Sequence, residues 1–302
     1  MQFPNLEITE RLFLYFGIVA LIIFALVVYF VKRFTVKYRD KGEIPVQSGG
    51  NEKFELVMIV IAVCITAFFL VMTLTGMKSI QTIPDNPKAD LNIIGHQWWW
   101  EARYTDSGVL TANEIHIPVG KKILLGLTSA DVIHSWWIPD LGRKLDMIPG
   151  MKSYMWLYSE KEGEFLGACS EFCGAQHARM RIRVIVQNQE DFKAWEQEQL
   201  KDAKLSSDPL FNRGKQVFEE RTCTNCHSTS ITKGQENPNI GPNLTHFASR
   251  KHFLSDMKEN NKENLRAWLK DPQQVKSGAK MPNFIFSEEE LEALVHYLSN
   301  LK

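Results

Sequence analysis

The stretch Cys169-Ser-Glu-Phe-Cys173-Gly-Ala-Gln-His177-Ala-Arg-Met180 gathers two thiols, an imidazole and a thioether within one short segment. Thiolate and thioether are soft donors that favour copper, and imidazole suits copper or zinc. A second imidazole, His134, stands upstream in Val132-Ile-His-Ser-Trp-Trp-Ile-Pro139. Ligand chemistry alone leaves three readings open. The thiols could form a disulfide, with Met180 an inward strand residue and the histidines incidental. Two Cys and two His could hold a four-coordinate zinc. Or the set could hold copper, and only that reading uses Met180.

The flanks of this loop read as β-structure. Ile115, Ile117 and Val119 alternate with polar neighbours, as do Met180, Ile182, Val184 and Val186 against Arg181 and Arg183. Pro118-Val-Gly120, Pro139-Asp-Leu-Gly142 and Pro149-Gly150 break the runs as turns. Short strands at this spacing suit an all-β Greek-key sandwich over residues 79–200. The pattern turns helical and charged from Gln189 to Ala203, with Phe192, Trp195 and Leu200 apolar, and residues 201–209, ending Leu205-Ser-Ser-Asp-Pro209, form a linker.

Residues 210–302 are mainly helical. A helix is predicted over Leu210–Arg221, then a loop with Pro238, Gly241 and Pro242. The cap signature Ser287-Glu-Glu-Glu stands before Leu291–Leu301. Cys223-Thr-Asn-Cys226-His227 is the spacing of covalent c-type haem attachment, in which both thiols bond the haem and the adjacent His reaches its iron. A redox disulfide is the competing reading, but no βαβ pattern surrounds it and it leaves the His without a purpose.

Toward the N-terminus, Leu12–Val31 and Leu56–Met77 contain no charged residue. About 20 apolar residues at 1.5 Å rise cross a hydrocarbon core of roughly 30 Å, so residues 1–78 read as a transmembrane hairpin with spans near 12–31 and 56–77. The first run is longer than a signal-peptide core, follows an acidic tail (Glu7, Glu10) and precedes no small-residue cleavage site. The connecting segment carries Lys32, Arg33, Lys37, Arg39, Lys41 and Lys53, whereas the tail has only Arg11. Positive charge stays in the cytoplasm, which places that loop inside and the N-terminus and all later domains outside. Covalent haem is attached outside the cytoplasm, in agreement.

The 302 residues carry 35 basic and 35 acidic side chains. That balance argues against a nucleic-acid binder, and a mean hydropathy of −0.20 excludes a many-spanning transporter. Five cysteines, an odd number, cannot form a fully paired disulfide framework. Cys64 is a small apolar residue inside the second span.

Residues 1–200 resemble subunit II of the haem–copper cytochrome c oxidases. The likeness rests on the hairpin, Gly95-His-Gln-Trp-Trp-Trp-Glu101, His134-Ser-Trp-Trp-Ile-Pro139, Asp146-Met-Ile-Pro-Gly150 and the whole Cys169–Met180 loop. The resemblance implies a cupredoxin fold holding the binuclear copper centre CuA. Cys169 and Cys173 would bridge the two coppers, His134 and His177 would each bind one, Met180 would bind one weakly, and the Glu171 carbonyl would bind the other. It also implies a magnesium or manganese ion at the Glu171 carboxylate, shared with subunit I. Trp98 would mark electron input, although the family commonly has Trp-Tyr-Trp where this chain has Trp98-Trp99-Trp100. Glu55 matches a proton-channel mouth, or else is a carboxylate favoured by a helix N-terminus.

Residues 210–302 resemble a class I cytochrome c. Gly214 and Phe218 fit its first helix, Ala293–Leu301 with Tyr297 its last, and Gly241-Pro-Asn-Leu244 the loop whose proline carbonyl accepts from the proximal His227. Met281 is the expected sixth ligand, against Met257, His246, His252 or His296; Met/His ligation raises a haem potential.

Together these likenesses imply the electron-input subunit of a bacterial proton-pumping cytochrome c oxidase in the plasma membrane. Subunit I and subunit III would be its partners, and an upstream cytochrome c or cytochrome bc-type complex its donor. Oxygen would be reduced in subunit I and not by this chain alone. Two other functions share the motifs: the input subunit of a CuA-type nitric oxide reductase, and a membrane-anchored electron-transfer protein without an oxidase partner.

Overall fold

A computed structural model of the chain describes residues 4–39, 49–204, 206–231 and 240–302; Lys41, Leu205 and Pro238, named above, lie outside the described residues. Residues 1–82 and 83–302 are two compact units.

The first unit contains α1 (Pro4–Lys37) and α2 (Glu52–Gln81), both longer than their apolar runs. Each is long and apolar enough to cross a membrane. Phe13, Phe24, Leu56 and Val71 are among many large apolar side chains that point outward. A helix apolar on all sides needs an apolar surrounding, which lipid supplies. The two helices meet in part through Phe16 and Phe69, ring centroids 5.8 Å apart. At the start of α2 the Asn51 side chain accepts from the Phe54 N–H, and Glu52 and Glu55 occupy the first turn, where the helix dipole favours anions.

The second unit begins with a β-sandwich. Strands β1 (Leu91–His96), β2 (Trp99–Tyr104), β3 (Leu110–Ala112), β5 (Ile123–Ser129) and β8 (Ser153–Leu157) form one sheet in the order β3-β2-β1-β5-β8. Opposite it, β4 (Glu114–Pro118), β10 (Arg181–Gln187) and β9 (Gly163–Ala168) run in the order β4-β10-β9. A short pair, β6 (His134–Trp136) and β7 (Leu145–Met147), stands beside them. The alternation read from sequence is physical: Ile182, Val184 and Val186 of β10 are buried while their neighbours are not. In β4 the whole strand is buried, because the outer face that alternation leaves polar is covered. Helix α3 (Gln189–Gln199) stacks Trp195 on His116 at 4.2 Å. Trp100 and Trp136 fill the centre, edge to face at 5.7 Å.

The remaining chain is helical. Helices α4 (Pro209–Glu220) and α7 (Glu288–Leu298) cross closely, with α5 (Lys262–Lys270) and the short α6 (Pro272–Val275) alongside. Tyr297 meets Phe211 at 5.0 Å and Phe218 at 5.8 Å. The Ser287-Glu290 capping box forms in full. One feature had no counterpart in the sequence reading: a hairpin of β11 (His252–Phe253) and β12 (Lys258–Glu259).

Candidate metal and haem centres

Strand β9 delivers Cys169 to one end of the sandwich, and β6 delivers His134 to the same place. The Cys169 N–H bonds the Met180 carbonyl at 2.9 Å and the Ser170 N–H bonds the Ser135 carbonyl at 3.0 Å, closing the loop against both strands. His134 is wholly buried, and Cys169, Cys173 and Met180 are buried with it. The two sulfurs lie 3.7 Å apart, far beyond a disulfide bond. Each has its own imidazole. His134 Nδ1 is 3.8 Å from Cys169 Sγ, and His177 Nδ1 is 3.7 Å from Cys173 Sγ. Met180 Sδ stands 3.8 Å from Cys173 Sγ, and the Cys169 thiol donates to the Glu171 carbonyl at 3.2 Å. Among the described residues, the donor atoms of His134, Cys169 and Cys173 all fall within 4.8 Å of one another. This is a buried, soft, two-sided donor set, and it fits copper better than zinc.

The thiols depend on each other. The hydrogen bond they share holds Cys169 well below the ordinary thiol range, and the same bond, with burial, pushes Cys173 up. A thiolate, not a thiol, is the metal ligand. Asp131, which sequence reading missed, orients His134: its Oδ1 lies 2.8 Å from Nε2, leaving Nδ1 toward the sulfurs. Partial burial alone would raise Asp131. Hydrogen bonds from His134 and from the Val132 and Gln97 N–H groups outweigh it and hold the carboxyl at about 2. Burial would lower His134, yet the bonds to Asp131 and Cys169 raise it. Orientation of a ligating imidazole by a carboxylate is a common arrangement around metals. The Glu171 side chain and Phe172 are exposed at the loop tip. Gly174 sits at φ +111, and a Cβ there would meet Trp98 at 3.0 Å, so only glycine lets the loop close over that ring.

The second centre is an apolar cavity of about 230 Å³, lined by Cys223, Cys226, His227 and Met281 among others. Cys223–Asn225 form a single tight helical turn, and the His227 N–H bonds the Cys223 carbonyl at 3.0 Å. His227 Nδ1 is 2.8 Å from the Pro242 carbonyl, which fixes the ring and leaves Nε2 for a metal. Burial pushes His227 below its ordinary range, toward the neutral imidazole that iron takes. Phe218, Phe247, Leu294 and Leu298 supply an apolar wall. The residues present therefore fit a haem bonded at both thiols. Of the alternative sixth ligands, His246 Nε2 lies 2.9 Å from the Lys201 carbonyl and His296 pairs with Asp208 at 2.6 Å. Only His252 shares the cavity with Met281, and Met257 does not line it. Arg250 also lines it, with burial lowering its guanidinium to about 10.

Comparison with known proteins agrees with both halves. A family described as "Cytochrome C oxidase subunit II, periplasmic domain" matches residues 109–187, and one described as "Cytochrome c" matches 211–302. A protein of Alkalihalophilus pseudofirmus named "Cytochrome c oxidase subunit 2" is 36% identical over 295 residues, covering 95% of this chain and 84% of that one. Its namesake from Bacillus sp. strain PS3 is 33% identical, covering 87% and 79%. That of Bacillus subtilis is 31% identical, covering 91% and 82%. Paired thiols with an imidazole each, a C-x-x-C-H cavity and likeness along nearly the whole length have one meaning: the chain belongs to the cytochrome c oxidase subunit 2 family, in the form that carries a cytochrome c domain behind its β-sandwich.

Proposed function

We propose that this chain is the electron-input subunit of a bacterial proton-pumping cytochrome c oxidase, taking electrons from an external donor at a covalent haem c and delivering them at a binuclear copper centre to the haem of subunit I. The observation that carries this reading is the pair of unbonded sulfurs 3.7 Å apart, each with its own imidazole. When bound, the copper pair and the haem each gain or lose one electron with no bond made or broken. Cys169 and Cys173 would both be ligands of the copper pair. His134 and His177 would each serve one copper, with Met180 a weak ligand to one and the Glu171 carbonyl a ligand to the other. Cys223 and Cys226 would anchor the haem, and His227 and Met281 would hold its iron. The buried scaffold keeps these donors in place in both oxidation states, so little rearrangement accompanies transfer.

Trp98 is the route between the two centres, and the exposed Glu171 carboxylate takes a magnesium or manganese ion shared with subunit I. Exposed Val132, Ile133 and Phe172 flank the copper donors and support a protein partner on that face. Glu55, in the first turn of α2, stands at the mouth of a proton channel formed with subunit I. The charges around α1 and α2 support a cytoplasmic connecting segment and external N-terminus, copper domain and haem domain. In this reading the domains are 1–78, 79–200 and 210–302, joined by the linker 201–209. Subunit III and an upstream cytochrome c or bc-type complex complete the partners, and oxygen is reduced to water in subunit I.

Replacing Cys169→Ser is expected to abolish the mixed-valence copper signal in electron paramagnetic resonance while leaving the haem c spectrum intact; a surviving signal refutes the ligand set. Turnover of the purified complex with oxygen, and not with nitric oxide alone, checks the terminal acceptor.

A further inference from the structure

The helical domain does not build its cavity alone. Trp98, Ala112 and Asn113 of the β-sandwich form part of the wall. Trp98 therefore faces two ways: it borders the cavity, and its indole N–H donates to the Cys173 carbonyl at 2.9 Å. What holds the two domains in this relation is unusual. The tip of the β11–β12 hairpin, Leu254, Ser255 and Asp256, lies in the left-handed region at φ 57, 59 and 62. Residues with side chains rarely enter that region, least of all in succession. Strain of this kind persists only where surrounding contacts over-determine it, and it gathers at working parts.

The tip's contacts run to the sandwich. Ser255, 0% exposed, donates its hydroxyl to the Trp98 carbonyl at 2.6 Å. Asp256 accepts two hydrogen bonds from Arg183 of β10, at 2.8 and 3.1 Å. Lys276, 5% exposed, donates from just beyond α6 to that same Trp98 carbonyl at 3.1 Å and to the Ser255 hydroxyl at 3.3 Å. The half-exposed pairs nearby, Lys251 with Glu164 and Lys280 with Asp131, are screened and weak by comparison. A buried ammonium is costly to desolvate, so its gain is specificity of arrangement more than stability.

We propose that Ser255, Asp256 and Lys276 are positioning residues, a clasp that seats the haem domain in one pose on Trp98, so that electrons cross between the two centres over a fixed gap without a diffusive search by a tethered carrier. The proposal rests on the assignment of haem and copper given above.

The test uses the purified complex with the full chain, comparing Lys276→Met and Asp256→Asn with the unaltered protein. Asn tolerates the left-handed region, so Asp256→Asn removes the charge and keeps the turn; it decides the matter if Lys276→Met does not fold. Two quantities are read: amide exchange over residues 252–259, which involves no electron, and the rate of haem-to-copper transfer after a light pulse at several solvent viscosities. Each variant is expected to exchange amides there about tenfold faster. Transfer should slow by about tenfold or more and become viscosity-dependent. The unaltered protein should show no viscosity dependence, and the copper and haem spectra should not change. Variants that match the unaltered protein in both readings, or an unaltered protein that slows with viscosity, overturn the clasp. Absence of the copper resonance or haem c spectrum from the unaltered protein overturns the underlying assignment, and the clasp with it.

Discussion

Asp131 touches neither sulfur, yet it decides which nitrogen of His134 faces them. The donors themselves were legible as residue types at short spacing, and Cys223-Thr-Asn-Cys226-His227 as a motif. Asp131, Lys276 and Ser255 were not. Lys276 reaches Trp98 across 178 positions and Ser255 across 157, and contacts so remote leave no local pattern. Two expectations belong at this scale. Met281→Ala should leave the haem covalently attached and lower its potential, measured by redox titration of the haem c band, since under the proposed ligation it removes a thioether that favours reduced iron. Lys276 titrates at about 8 because burial penalises its charge, against 10.5 when unfolded. Between those values the unfolded chain binds the extra proton, so stability rises with pH there, and below about 8 the penalty is constant. Denaturant unfolding of wild type and Lys276→Met should diverge by roughly 3 kcal/mol from pH 8 to 10.5 in favour of wild type.

Elements with a cap or a long period were readable. The Ser287 box and the apolar runs of α1 and α2 carry their own signals, although both helices extend past those runs because charged turns continue them. The β11–β12 hairpin escaped notice for two reasons. Its strands are only two residues each, too short for any alternation, and its tip uses Leu, Ser and Asp where glycine or asparagine would have announced a turn. Helices α4 and α7 show what one small residue does between elements. A Cβ on Gly214 would lie 2.1 Å from the Ala293 carbonyl oxygen, so the crossing requires a bare backbone. Gly214→Ala should force the helices apart at a cost of about 1–3 kcal/mol, read as a lower denaturation midpoint of the haem domain. Its far-UV helix signal at low denaturant should change little.

At the scale of the molecule, neutral charge and moderate hydropathy were averages over unlike parts: an apolar hairpin, a sandwich and a helical domain. Their number and kind were legible from composition shifts and motifs. That sandwich and helical domain share one cavity was not, since each domain's pattern reads as complete by itself. The shared wall also orders events in time. Whatever attaches haem must reach Cys223 and Cys226, and Trp98, Asn113 and Lys276 close over the same space. Attachment is therefore expected to precede closure. In a pulse-chase of newly made chain, covalent haem should appear first on molecules still open to proteolysis at 252–259, with resistance following. A resistant, haem-free species that later gains haem would reverse that order.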